Sequence, residues 1–241
     1  MQWLLQAIYP DTCLSCGELS GSYGGLCAAC WRDTRFITGL ICDRCGTPLP
    51  GDEDANEGNP LTCDDCLRIA RPWARGRSAM VYKGNGRRIV LALKGADRGE
   101  LAHGAAHWLA RAAVPIWEER MLIAPVPLHW IRLFQRRYNQ SGLLASALAK
   151  EFGAPYCPDL LTRPRRTPRL EGMSAESRFS TLQDAIVAHP KRRHRMAGRK
   201  VLLVDDVMTS GATLAACADT CLAHGATEVN VATLARTVKD D

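Results

Sequence analysis

From residue 78 onward, short apolar runs alternate with longer stretches of helical apolar spacing. Ser78-Ala79-Met80-Val81-Tyr82 reads as a strand. Helical periodicity follows over residues 87–94 and 100–113. Leu122-Ile123-Ala124-Pro125-Val126-Pro127 reads as a buried strand ending in a rigid turn, and residues 140–152 return to helical spacing. Lys200-Val201-Leu202-Leu203-Val204-Asp205 is the clearest strand, a continuous apolar run of the kind needed when both faces are covered. Residues 211–223 read as a helix, and Val229-Asn230-Val231-Ala232-Thr233-Leu234 as a further strand. Strands alternating with helices predict an α/β fold, a parallel sheet flanked by helices.

The first 66 residues follow neither rhythm. They hold eight of the chain's 11 cysteines, and residues 50–60 form a polar, turn-rich loop between two cysteine pairs. Residues 67–77 are a basic connector. Residues 163–200 interrupt the alternation with 11 basic and 3 acidic side chains and three prolines, and read as a mobile excursion containing a short helix. At 241 residues the chain has room for one full domain and a small module, set at residues 1–68 and 78–241. The apolar and charged fractions, 46% and 23%, exclude global disorder, collagen and coiled coil.

Charge sharpens this division. The net +6 conceals a head of 3 basic and 10 acidic residues through Cys66, and a body of 28 and 15. The first ten residues lack a basic n-region and a long apolar run, and no stretch of about 18 apolar residues occurs. A cytoplasmic protein without membrane insertion is expected. Its reducing surroundings favour metal binding by the cysteines over disulfides.

Those cysteines form four CxxC turns: Cys13/Cys16, Cys27/Cys30, Cys42/Cys45 and Cys63/Cys66. Each turn lets two thiolates converge on one metal, and two turns complete a tetrahedral site. Two structural Zn²⁺ sites are therefore expected. Spacing favours sequential pairing but leaves a crossed arrangement open. Iron–sulfur clusters share such ligands. Two Zn²⁺ on eight thiolates would take the head's balance from −7 to −11, giving it the charge to dock on the basic body. Cys157, Cys217 and Cys221 lack the spacing and read as core residues.

The most specific segment is Val201-Leu202-Leu203-Val204-Asp205-Asp206-Val207-Met208-Thr209-Ser210-Gly211-Ala212-Thr213-Leu214. An apolar strand leads to two carboxylates, a loop of small residues and a helix start. In open α/β sheets ligands bind at the carboxyl ends of the strands. The loop Thr209, Ser210, Gly211, Ala212, Thr213 can aim backbone N–H groups and hydroxyls at a phosphate. Asp205 and Asp206 can accept hydrogen bonds from vicinal hydroxyls. One element thus suits a ribose 5-phosphate, and it is not a Walker P-loop.

This segment resembles the 5-phosphoribosyl pyrophosphate (PRPP) motif of type I phosphoribosyltransferases. With the four CxxC turns, Arg77-Ser78-Ala79-Met80-Val81-Tyr82, Ala92-Leu93-Lys94-Gly95, Pro125-Val126-Pro127-Leu128, Arg136-Arg137-Tyr138-Asn139-Gln140, Arg178 and Leu234-Ala235-Arg236, nearly the whole chain resembles the ComF (competence protein F-like) family. The resemblance implies a type I phosphoribosyltransferase-like parallel sheet preceded by a small zinc-ribbon module with four-cysteine metal sites. It also implies that Asp205 and Asp206 hold the ribose hydroxyls and that residues 209–213 bind the 5-phosphate. Lys94-Gly95 would correspond to a pyrophosphate loop, a segment that often carries a strained non-proline cis bond, and residues 163–181 to a hood. Mg²⁺ would accompany PRPP and keep several waters.

The implied activity is a pentosyl (glycosyl) transfer, displacement of pyrophosphate at the anomeric carbon by a nitrogen nucleophile. Lys94, Arg136 and Arg178 are the catalytic candidates, supplying positive charge near the leaving group. Purine-using relatives commonly carry an Asp base where this chain has Thr209, so the resemblance does not name a purine acceptor. Leu170 and Thr181 also depart from the usual hood pattern, and Arg137 and Tyr138 from the usual Gly and Phe. The family further implies DNA uptake and natural transformation, with single-stranded DNA and DNA-uptake or recombination proteins as partners. The alternatives are a single-stranded-DNA-binding competence factor and a PRPP sensor without turnover. The +13 body and the Lys191-Arg192-Arg193-His194-Arg195 run suit a polyanion. The six tryptophans are scattered and read mostly as packing.

Overall fold

A computed structural model describes residues 11–21, 24–51, 59–95, 101–165 and 185–238. In the head, two short helices follow cysteine turns: α1 (Ala28–Asp33) and α2 (Asp64–Arg68). The body runs β1 (Gly76–Val81), α3 (Gly84–Leu93), α4 (Leu101–Ala113), β2 (Leu122–Pro125), α5 (Trp130–Arg136), α6 (Gln140–Glu151), β3 (Leu161–Thr162), β4 (Val187–Ala188), β5 (Lys200–Met208), α7 (Ala212–Ala223) and β6 (Glu228–Arg236). The main sheet has the order β1-β6-β5-β2 with every pairing parallel. β3 and β4 form a separate antiparallel pair.

Both faces of the sheet are covered, as the apolar run of β5 requires. Leu202 and Val204 pack with Ile89 and Leu93 of α3, Leu109 of α4, and Leu144 and Leu148 of α6. The alternate residues Val201 and Leu203 pack with Leu214, Cys217 and Cys221 of α7. This two-face division is the period-2 geometry of a strand. Cys217, Cys221 and Cys157 are fully buried, so all three are core residues as read from the sequence.

The four strands of the main sheet match the expected positions, with one informative extension, whereas β3 and β4 have no counterpart in the expected elements, β4 lying within the stretch read as an excursion. β5 continues through Asp205 and Asp206 to Met208, and Val207 and Met208 stay in register with Ala235 and Arg236. The carboxylates therefore lie on a paired strand. α5 has no counterpart in the predicted elements, because its exposed aromatics give no amphipathic rhythm. No peptide among the described residues is cis, Lys94–Gly95 included, so the family's frequent cis bond is not seen here. Most of the hood region, with Leu170, Arg178 and Thr181, lies outside the described residues.

The head packs into the body's own cores. Leu14, Leu26 and Cys30 join the cluster of α3 and α4, and Asn85 at the start of α3 takes a hydrogen bond from Ser15 and gives one to the Cys30 carbonyl. Cys42 and Cys45 join the α7 side. Charge complementarity accompanies this docking. Asp43, between Cys42 and Cys45, receives Arg75 at 3.0 Å and Arg77 at 2.7 Å, and the Arg77 side chain is only 8% exposed. Burial alone would raise the Asp43 carboxyl, but the two guanidinium groups outweigh it and hold it below its ordinary value.

Removing Asp43 would strand a buried guanidinium. Asp43→Ala should cost about 3 kcal/mol, within the range for breaking one partner of a buried pair. Because the native carboxyl is depressed, the wild-type contribution is present above the unfolded value of about 3.9 and lost as pH falls through the lower native value. Urea melts at neutral and acid pH check this: the two proteins should differ at pH 7 and converge in acid, and equal midpoints at pH 7 would refute the role.

Candidate functional site

The cysteine turns come together in sequential pairs. The sulfurs of Cys13, Cys16, Cys27 and Cys30 lie within 4.8 Å of one another, as do those of Cys42, Cys45, Cys63 and Cys66. This settles the pairing that spacing left open. Gly17 and Gly46 follow the turns in the left-handed region, at φ 81° and 67°, and their N–H groups reach back to the Cys13 and Cys42 carbonyls. Burial would raise the Cys13 thiol, yet backbone N–H groups of Cys16, Cys27 and Ser15 bring it to about 6. Four convergent sulfurs, with N–H groups favouring the thiolate, fit structural zinc. Four thiolates also leave no open position for a reacting water.

The second site lies at the carboxyl ends of β5 and β2. Ser141, at the start of α6, donates to Asp205 Oδ1 at 2.7 Å, and the Asp206 N–H donates to the same oxygen at 2.9 Å. Lys94, just past α3, pairs with Asp206 Oδ2 at 3.0 Å. Desolvation pushes the Asp205 carboxyl up to about 7, with the neighbouring Asp206 charge as the second cause. Tyr138 fixes the Lys94 loop by donating to the Leu93 carbonyl at 2.9 Å and to the Gly95 carbonyl.

Past Met208 the chain turns through Thr209, Ser210 and Gly211 into α7. Gly211 takes the left-handed conformation at φ 81° and caps the helix with no side-chain hydrogen bond. Ser210 Oγ accepts a long bond of 3.4 Å from the Ala212 N–H. The first turn, with Thr213, thus keeps its N–H groups largely uncapped, beside the two carboxylates.

Among the sequence candidates, Lys94, Asp205, Asp206 and the 209–213 loop converge. Arg136 is placed one step away: its Nη1 donates to Gln140 Oε1 at 3.2 Å, the residue before Ser141. Arg178 lies outside the described residues. Sequence reasoning missed Ser141 as a partner of the acidic pair and gave no role to Asn139 and Gln140 beyond the family segment that contains them. Asn139 Nδ2 donates to the Val126 carbonyl, while buried Asn139 Oδ1 and Gln140 Nε2 have no hydrogen-bond partner among the described residues. Buried polar atoms left this way are uncommon in folded proteins. It also missed Arg163, buried at the root of the excursion and bridged to His129. Burial lowers the Arg163 guanidinium first, with Arg132 adding, while Asp205 acts in the opposite sense.

Comparison with known proteins agrees with this anatomy. The double zinc ribbon domain model matches residues 4–67, and the phosphoribosyl transferase domain model matches residues 139–240. The chain is similar to the DNA utilization protein YhgH of Salmonella typhi, 32% identical over 236 residues, covering 95% of this chain and 98% of that one. It is 26% identical to Competence protein F of Haemophilus influenzae over 230 residues, covering 93% and 96%. Among solved structures, the glutamine PRPP amidotransferase from B. subtilis overlaps with a TM-score of 0.37 at 22% identity, covering 61% of this chain and 27% of that one.

Metal analysis of the purified protein should find two zinc ions per chain, and Cys66→Ser should lower the count toward one. One zinc or none in the wild type would refute the pair of tetrads.

Proposed function

The chain belongs to the ComF family of phosphoribosyltransferase-domain proteins with an N-terminal double zinc ribbon, and from that premise we propose that it binds PRPP with Mg²⁺ and transfers the phosphoribosyl group to a nitrogen acceptor. We assign residues 1–68 to the ribbon module and residues 78–241 to the transferase domain, in a cytoplasmic protein. No helix among the described residues is long and apolar enough to cross a membrane. One juxtaposition carries the reading: two adjacent carboxylates on a paired strand directly precede an uncapped helix N-terminus.

In this reading residues 209–213 receive the 5-phosphate on backbone N–H groups, and Asp205 and Asp206 accept hydrogen bonds from the ribose hydroxyls. Lys94, Gly95 and Arg136 belong to the side where pyrophosphate departs, and Arg178 stays a candidate for the same role from the family resemblance alone. Positive charge held there favours the developing negative charge of the leaving group. Lys94 reaches that role by leaving Asp206 or by sharing it with the ligand. Mg²⁺ bound with PRPP would supply further positive charge for the departing pyrophosphate and would keep several of its waters. Thr209 is exposed and has no carboxylate to offer a purine N–H, which points to an acceptor that needs no base at that position.

A second reading, direct binding of single-stranded DNA, is favoured by α5. Trp130 and Phe134 stand four residues apart, 65% and 85% exposed, and line a groove with Leu133, Gln135 and Arg137. Arg132, Arg136 and Arg137 interleave with them, and residues 121–150 contain no carboxylate. Exposed aromatics among arginines make a stacking platform with phosphate contacts. The two readings are compatible, since the carboxylate site repels a phosphodiester chain and α5 attracts one.

PRPP with Mg²⁺ should raise the melting temperature, corresponding to about 2.7 kcal/mol at a hundredfold excess over Kd. Asp205→Asn combined with Asp206→Asn should abolish the shift; a retained shift would sink the assignment. Affinity should strengthen from pH 6 to pH 8 as Asp205 ionises near 7, and Asp205→Asn should flatten that profile. Without ligand the sign reverses: the raised native pKa makes the folded protein gain stability as pH falls from about 7 toward the unfolded value near 3.9.

For DNA, a labelled oligothymidine should lose affinity steeply between 50 and 200 mM salt. Trp130→Ala and Phe134→Ala should each weaken it about tenfold. Salt-insensitive binding, or none, would remove this reading.

A further inference from the structure

We propose that Arg71 is a positioning residue for the 209–213 loop, and that the second cysteine tetrad, by holding Arg71, sets how tightly that loop binds a phosphate. The inference rests on the PRPP reading of the loop and adds its regulation by a structural metal site.

Arg71 lies between two fixed points. Five residues before it is Cys66, a member of the second tetrad. Two residues after it is Trp73, fully buried, whose indole N–H donates to the Arg44 carbonyl inside the Cys42/Cys45 turn. Arg44 in turn donates to the Trp73 and Ala74 carbonyls at 3.1 Å. The Arg71 guanidinium stacks over the Trp73 ring, 5.4 Å from its centroid, and Nη1 donates to the Ser210 carbonyl at 2.6 Å. Such a charge-assisted bond is stronger than a neutral one.

This bond fixes the orientation of a peptide plane. In a trans peptide the C=O and N–H point in opposite directions. Drawing the Ser210 carbonyl toward Arg71 therefore turns the Gly211 N–H away from it, toward the mouth of the loop. Gly211 itself rests on the same support. A Cβ there would lie 2.9 Å from Arg71 Nη1 and 3.0 Å from the Trp73 ring, so the close contact as well as the positive φ demands glycine. Through Trp73 and Arg44, Arg71 thus ties the Cys42/Cys45 turn of the second tetrad to the phosphate loop.

The test uses the zinc-loaded full chain. PRPP affinity is measured by calorimetry and backbone exposure of residues 209–213 by hydrogen exchange without ligand. Arg71→Met should weaken PRPP about tenfold and speed exchange in the loop while zinc content stays at two. Cys66→Ser should move both readouts the same way, and Arg68→Met, which removes a nearby exposed charge, should move neither. Wild-type affinity and wild-type exchange in Arg71→Met would overturn the positioning role. Loss with Arg71→Met but not with Cys66→Ser would overturn control by the tetrad. If Cys66→Ser does not fold, retention of wild-type loop exchange by Arg71→Met still overturns the proposal. If wild-type protein fails to bind PRPP, the transferase reading fails instead, and the exchange measurement still decides whether Arg71 orders the loop.

Discussion

The contact between the second thiolate turn and the strip of chain from Arg71 to Ser78 is the constraint on which the rest depends. Cys42 and Cys45 are completely buried, and between them Asp43 and Arg44 grip that strip from both ends. Asp43 takes Arg75 and Arg77, while Arg44 exchanges hydrogen bonds with Trp73 and donates to the Ala74 carbonyl. Gly46 completes the fit, since a Cβ there would lie 3.0 Å from the Arg77 Cα. The strip is also where β1 begins, and β1 pairs with β6, which pairs with β5. A metal-organised turn thereby sets the position of the sheet edge, and through Arg71 the posture of the loop at the far end of β5. A head this small cannot bury enough apolar surface alone, so its folding energy comes from metal ligation and from the body it grips.

The acidic pair shows the opposite economy of forces. Two adjacent carboxylates on a partly buried strand repel each other and lose hydration. Lys94 offsets the charge of Asp206, and Ser141 with a backbone N–H serves Asp205, which nevertheless holds its proton up to about 7. An arrangement that is unfavourable by itself persists at the end of the best-paired strand. The same rigid β5–β6 pairing that tolerates the unfavourable pair also keeps it aimed.

Much of this was legible in the sequence, and for identifiable reasons. The run Val201 to Val204 and the four CxxC turns encode their geometry locally, so β5 and the presence of two four-cysteine sites could be read directly, while which turns share a site was decided by the fold. The convergence of Lys94 and Asp206, 112 residues apart, came only from family resemblance. Ser141 and Arg71 escaped because their roles depend on which side chains the fold delivers to one edge. A serine at the start of an apolar helix looks like an N-terminal preference, and an arginine in a basic connector looks like solvated charge. α5 escaped for another reason. Its aromatics are exposed, so the burial signal on which helical periodicity depends is missing there.

The charge arithmetic takes its meaning from how individual cations are spent. Arg75 and Arg77 are engaged by Asp43, Lys200 by Glu118 and Glu228, and Arg192 by Asp159. Lys94 is engaged by Asp206, and Arg71 by the Ser210 carbonyl. Docking of the acidic head therefore uses only a small part of the body's +13 excess. Of the α5 arginines, only Arg136 has a side-chain hydrogen bond among those described, and its partner, Gln140, is neutral. A long polyanion would meet these arginines from outside, beside two exposed rings. The small anion of the transferase reading would enter at β5, where backbone N–H groups replace side-chain cations. On these two readings the fold would separate two kinds of phosphate recognition, one by a helix N-terminus that suits a single compact group, the other by spaced guanidinium and aromatic surfaces that suit a chain.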